Sequence, residues 1–158
     1  MAAAKAAAEP FILFELGGTT YGIPSRAVQQ MEMVEHVTPV PNAPPYVDGV
    51  VFSRGQVIPA VSLRVRFGFA RIPYDTRTRL IVIRSTERTV GFVVDSAREF
   101  VSIPGEIILP PPEAISGLSG RYLDGIATLG GRLILILNVD QALNVETIPV
   151  PSEVQSIE

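Results

Sequence analysis

The chain has no cysteine and no tryptophan, a single histidine among its 158 residues, and no long apolar run. Without cysteine there is no disulfide framework, no zinc–thiolate site and no thiol chemistry. One histidine, His36, excludes a multi-histidine metal centre. A membrane-spanning helix needs roughly 20 apolar residues, and the longest such stretches are as short as Leu133-Ile-Leu-Ile-Leu137. Charge is also scarce: 18% of residues are charged, with 13 Lys+Arg against 16 Asp+Glu. The resulting net charge of -3 argues against nucleic acid as a partner, because that function leaves a basic footprint. Absent tryptophan and only 7% aromatics also count against an aromatic peptide-binding groove.

What is present is a hydrophobic fraction of 47%, enough to exclude disorder for the bulk of the chain. The length fits one ordinary domain or two very small ones, with apolar surface to spare for a partner. Residues 1–9 read as an Ala-rich tail rather than a signal peptide, since Lys5 and Glu9 interrupt any apolar core. Residues 147–158 read as a second tail, leaving 10–146 as the folded part and the cytoplasm as the expected location.

The chain repeats itself. At a shift of 69 residues Phe11-Ile-Leu-Phe14 falls on Leu80-Ile-Val-Ile83, and Tyr21-Gly22-Ile23 on Val90-Gly91-Phe92. At a shift of 76, Tyr46-Val-Asp-Gly49 falls on Tyr122-Leu-Asp-Gly125, and the match runs on to Leu63 and Val139 with five identities in eighteen pairs. Average composition gives roughly one by chance. The two shifts place an insertion in the second repeat around residues 112–121. Repeat one covers about 11–79 and repeat two about 80–143.

Each repeat reads as mostly β. Alternating apolar segments flank Gly17-Gly18, and 80–84 with 89–95 repeat that hairpin. A second hairpin joins 46–52 to 57–63, and its counterpart joins 122–129 to 132–139 through Gly130-Gly131. Residues 25–31, with Pro24 before them and Val28 and Met31 three apart, read as a helix. Residues 96–100 in the second repeat read as a turn, and short helices are expected at 64–67 and 140–143. About five strands per 65–70 residues point to one small barrel per repeat, packed around an apolar seam.

No catalytic constellation emerges. His36 has only Glu35 beside it, and a catalytic histidine needs a nucleophile and an orienting group. Asp48 and Asp124 share one repeat position before glycine and read as turn residues. The Gly-Gly pairs join strand to strand, whereas a phosphate-cradling loop leads into a helix and carries Lys-Ser/Thr. Residues 74–79 read as a solvated linker, and the proline clusters at 39–45 and 110–112 as structural turns.

The stretch Val40-Pro-Asn-Ala-Pro-Pro-Tyr-Val-Asp-Gly-Val-Val-Phe-Ser-Arg-Gly-Gln-Val-Ile-Pro-Ala-Val-Ser-Leu-Arg-Val-Arg-Phe-Gly68 closely resembles the CheW family of bacterial chemotaxis coupling proteins. The likeness continues through 14–23, 77–95 and 122–143, in the family's order. The resemblance implies an all-β fold of two tandem five-stranded SH3-like barrels with a pseudo-twofold internal repeat and short helices. It implies no catalysis, no cofactor and no metal. The implied function is an adaptor in the cytoplasm that couples the hairpin tip of a chemoreceptor to the regulatory domain of a CheA-type histidine kinase, without inserting into the membrane.

Carried over by position, the resemblance implies a receptor-facing groove of Val28, Gln30, Met31, Val90, Ala97 and Phe100. It implies kinase coupling through Phe52, Ser53 and Arg54, where Arg54 matches the arginine of the family's Asn-Leu-Arg-Gly. Arg54 falls on Gly130 in the second repeat, so the repeat itself does not demand an arginine there. The chain departs from the family pattern at Phe52-Ser53, at Ser62 in place of an aspartate, and at Gln30 in place of a glutamate. The alternatives are a tandem SH3-like peptide-binding module outside chemotaxis and a small β-barrel enzyme, the latter disfavoured for want of a nucleophile–base pair.

Overall fold

The computed structural model describes residues 8–84, 88–112 and 122–143. Their strands are β1 (Ala8–Leu16), β2 (Thr19–Pro24), β3 (Val28–Met33), β4 (Val47–Ser53), β5 (Gln56–Ser62), β6 (Arg79–Arg84), β7 (Thr89–Val94), β8 (Ser96–Pro104), β9 (Leu123–Leu129) and β10 (Arg132–Leu137). Two short helices, α1 (Leu63–Arg66) and α2 (Val139–Leu143), follow β5 and β10. Ala8 and Glu9, expected in the tail, belong to β1. The rest of both expected tails, and most of the expected insertion at 112–121, lie outside the described residues.

The strands form two five-stranded sheets, in the orders β8-β1-β2-β10-β9 and β3-β6-β7-β5-β4. These are the sheets of two SH3-like barrels, but neither barrel is one repeat, and the expectation of one barrel per repeat is corrected. The repeats have exchanged their first hairpins. Hairpin β1–β2 of repeat one joins β8, β9 and β10 of repeat two, and hairpin β6–β7 of repeat two joins β3, β4 and β5 of repeat one. The described residues accordingly divide into two compact units: unit 1 holds 8–27, 97–112 and 122–143, and unit 2 holds 28–84 and 88–96. Each exchanged hairpin enters by a parallel pairing, Ile136 opposite Gly22 in unit 1 and Ala60 opposite Gly91 in unit 2. These pairs are the same positions under the two shifts of the sequence repeat.

The correspondence reaches single hydrogen bonds. The Ser62 amide donates to the Tyr46 carbonyl at 2.7 Å, and the Asn138 amide to the Tyr122 carbonyl at 2.7 Å. Thr38 and Val50 exchange backbone bonds at 2.8 Å, as Leu109 and Ile126 do at 2.8–2.9 Å. Asp48-Gly49 and Asp124-Gly125 are therefore not turns, as expected from sequence, but lie inside β4 and β9. Their glycines answer a close approach: a β-carbon on Gly49 would lie 2.2 Å from the Thr38 carbonyl oxygen, and one on Gly125 2.6 Å from that of Leu109.

Each unit has its own core. In unit 1 Phe11, Leu13, Ile103, Ala127, Ile134 and Ile136 are buried together. In unit 2 the cluster is Val51, Ile58, Ala60, Leu80, Val82 and Val93. Ile58 and Ile134 hold equivalent, fully buried places.

The expected helix at 25–31 is a 3₁₀ turn over Ser25–Ala27 followed by strand β3. The three-residue spacing of Val28 and Met31 fits a helix, but seven residues cannot sustain one alone. The edge of β6 instead offers an antiparallel ladder, irregular between Val28 and Gln30, with Met31 opposite Ile81. Residues 96–100, expected as a turn, open β8 for the matching reason in unit 1.

Candidate interaction surface

Unit 2 closes its sheet with polar side chains. Its edge strands are β3 and β4, and along β3 the half-buried positions are Val28, Gln30 and Glu32. The buried Ser53 hydroxyl on β4 donates to the Glu32 carboxylate at 2.7 Å and accepts from the Gln30 amide at 3.0 Å. The Gln30 amide also donates to Glu32. Gln30, expected on a receptor-facing side, and Ser53, expected in kinase coupling, are thus joined directly. Glu32, which sequence reasoning did not single out, sits between them; its place on an alternating strand was hidden by the helix reading.

With Ser53 turned inward, its neighbours turn out. Phe52 is 76% exposed, an unusual position for an aromatic ring with no burial to gain. It faces its cross-strand partner Val57, also exposed, and borders a groove lined by Glu32, Met33, Glu35 and His36. The β4–β5 turn that follows is Arg54-Gly55, with φ of 52° and 79°. Both values belong to a tight hairpin turn that needs two left-handed residues. The matching turn between β9 and β10 is Gly130-Gly131, with φ of 59° and 78°. Glycine takes this conformation freely, and a residue with a β-carbon does so at a cost of about 1–2 kcal/mol. The exposed Arg54 therefore sits where the backbone favours glycine.

The remaining expected site residues divide between the units. In unit 2 Val28 is half-buried, Met31 is exposed on β3, and Val90 is buried in β7. In unit 1 Ala97 is buried near the start of β8, while Phe100 on the same strand is 66% exposed. Val90 and Ala97 shape their strands from within, and Met31 and Phe100 offer side chains to solvent. Unit 1 also presents an apolar hollow bounded by Ile107, Leu109, Pro110, Ile126 and Leu133.

A second cluster in unit 2 was not expected. Asp48 receives hydrogen bonds from the Arg71 guanidinium and the Tyr74 hydroxyl, and Arg71 also reaches the Pro45 carbonyl. The expected solvated linker at 74–79 is, at Tyr74, part of a strap fastened to β4. Burial pushes the Tyr74 hydroxyl above its ordinary pKa, opposed by the nearby Arg71 charge, so it remains a donor at neutral pH. Among the described residues there is no group of acidic and histidine side chains arranged to hold a metal ion, and no helix long and apolar enough to cross a membrane.

Residues 10–147 match the CheW-like domain family. The chain is 34% identical over 144 residues to the chemotaxis protein CheW of Klebsiella aerogenes, covering 91% of this chain and 87% of that one. It is 35% identical over 133 residues to the CheW of Helicobacter pylori, covering 84% and 80%. The crystal structure of the scaffolding protein TtCheW from Thermoanaerobacter tengcongensis superposes with a TM-score of 0.77 at 25% identity, covering 83% of this chain and 89% of that one.

Proposed function

This chain belongs to the CheW-like domain family of chemotaxis coupling adaptors, and we propose that it joins the cytoplasmic hairpin tip of a chemoreceptor to the regulatory domain of a CheA-type histidine kinase. It works in the cytoplasm as a scaffold, without chemistry of its own. Val28, Met31 and Phe100 touch the receptor, with Gln30, Val90 and Ala97 holding them in place. Phe52 and Arg54 meet the kinase, with Ser53 fixing the end of β4. A helical hairpin offers an apolar stripe, and exposed apolar side chains on a rigid sheet suit such a partner.

The observation that carries the reading is Arg54, an exposed arginine at φ 52° in a turn that unit 1 builds from two glycines. Strain of this kind at an exposed side chain points to a role outside the fold. Co-sedimentation with receptor-bearing membranes and kinase tests the proposal. The wild-type chain is expected to recruit kinase to receptor and change its activity. Phe100→Ala is expected to remain folded and bind receptor about 1–3 kcal/mol more weakly, the scale of an interface anchor. Failure of the wild-type chain to alter kinase recruitment would overturn the reading.

A further inference from the structure

In unit 2 the edge strands β3 and β4 stand at opposite ends of the sheet order and share no ladder. Side chains join them instead. The Ser53 hydroxyl donates to the Glu32 carboxylate at 2.7 Å and accepts from the Gln30 amide at 3.0 Å, and that amide also donates to Glu32. The two shifts of the sequence repeat identify the same positions in unit 1. At a shift of 69, Glu32 falls on Val101 of β8 and Gln30 on Glu99; at a shift of 76, Ser53 falls on Leu129 of β9. The edge strands of unit 1 are likewise β8 and β9, but there Val101 and Leu129 pack against the core. Glu99 is exposed and pairs with Arg132 at 2.9 Å. An apolar pair therefore satisfies this frame, and the fold does not require the carboxylate–hydroxyl pair of unit 2.

The two kinds of pair separate at different cost. Parting packed apolar side chains exposes them to water with nothing gained in return. Groups that hydrogen-bond each other exchange those bonds for bonds to water at small net cost, and Glu32 is only half-buried, within reach of that water. Glu32 also fixes what each strand presents. Side chains alternate along a strand, so holding Gln30 inward keeps Met31 outward on β3, and holding Ser53 inward keeps Phe52 outward on β4.

We infer that Glu32 is a positioning residue: it closes a seam that can part, and through that seam the partner on β3 and the partner on β4 affect one another. The inference rests on the receptor and kinase contacts proposed above, which lie at Met31 on one strand and at Phe52 on the other. Coupling between two sites needs an element with two arrangements that both sites bias, and a polar seam, closed or parted, is such an element.

Two paired variants of the full-length chain give unit 2 an apolar seam. Glu32→Val with Ser53→Leu transplants the unit 1 pair, and Glu32→Met with Ser53→Ala makes the seam apolar at nearly the original volume. Both are expected to stay folded. Glu32→Val alone leaves the buried Ser53 hydroxyl without its acceptor and is expected to lower Tm by about 3–6 °C. In the protein without partners, the β3 amides of the paired variants are expected to exchange hydrogen about tenfold more slowly than in the wild type, with β6 and β7 unchanged. In receptor-bearing membranes, receptor control over each kinase molecule recruited is expected to fall about fivefold or more. A purely structural pair would move neither readout in these directions. Loss of fold in both paired variants, exchange at the wild-type rate, or undiminished kinase control would overturn the inference. A wild-type chain that recruits no kinase would overturn the functional reading instead, and the exchange rates would still decide whether the seam parts.

Discussion

The turns at Arg54-Gly55 and Gly130-Gly131 share one backbone and carry different side chains. The same holds for the units around them. Both are built on the same strand order, the same parallel junction at Gly22 and Gly91, and the same backbone bonds from Ser62 and Asn138. What differs lies at the edges. Unit 2 joins its edge strands through Gln30, Glu32 and Ser53, whereas in unit 1 Val101 on β8 and Leu129 on β9 pack against the core. Unit 2 exposes Phe52 where unit 1 has Thr128, and Arg54 where unit 1 has Gly130. A duplicated fold shows in this way which features the fold requires, because both copies keep them, and which have been added to one copy for another purpose.

If the frame is common, damage to it should be symmetrical. Ile58→Ala and Ile134→Ala are each expected to cost about 2–5 kcal/mol by denaturant titration, since both side chains are fully buried. A loss under about 0.5 kcal/mol at one site alone would break the equivalence of the cores. Next in size are the close approaches. Gly49→Ala is expected to cost about 3 kcal/mol, and Gly125→Ala somewhat less, in the order of their 2.2 Å and 2.6 Å approaches to a backbone oxygen. Equal stability of Gly49→Ala and the wild type would show that β4 and the segment at Thr38 move apart freely.

Smaller effects should be asymmetrical. Asp48→Ala removes the partner of Arg71 and Tyr74 and is expected to cost about 1.5–3 kcal/mol, the range for charge-assisted hydrogen bonds. Asp124→Ala, at an exposed carboxylate bonded to Asn138, is expected to cost under about 1 kcal/mol by the same titration. Equal losses at the two aspartates would erase the distinction between a shielded, charge-paired carboxylate and an exposed one.

Much of the frame was legible in the sequence. Gly-Gly turns between alternating apolar segments marked the hairpins, and the twin shifts of 69 and 76 marked their duplication. The exchange of first hairpins was not legible, because periodicity defines a strand and its buried face but not the edge it joins. The seven-residue difference between the shifts marks an insertion, and it falls between the two hairpins of repeat two that lie in different sheets. Strand β3 is not legible, because Val28 and Met31 satisfy a helical spacing, while the pairing that decides the matter, with Ile83 and Ile81, lies about 50 residues away. Of the candidate site, Arg54 was visible as an asymmetry between repeats, but its left-handed backbone was not. Val90 and Ala97 were placed by likeness to a family, and likeness carries no information about burial. Neither the repeat position that Asp48 shares with Asp124 nor the glycine after it points to Arg71 and Tyr74, which lie 23 and 26 residues away.

The smallest expected change in stability bears most directly on function. Arg54→Gly gives unit 2 the turn that unit 1 already has, so the variant is expected to be as stable as the wild type or more stable by about 1 kcal/mol, through relief of the left-handed strain at φ 52°. The decisive measurement is kinase activity in receptor-containing membranes with this variant in place of the wild type, alongside its thermal melt. The account predicts a melt at or above the wild-type temperature together with loss of kinase coupling. A variant that melts no lower and couples the kinase as well as the wild type would contradict it, and would leave Arg54 as nothing more than an awkward residue in a turn.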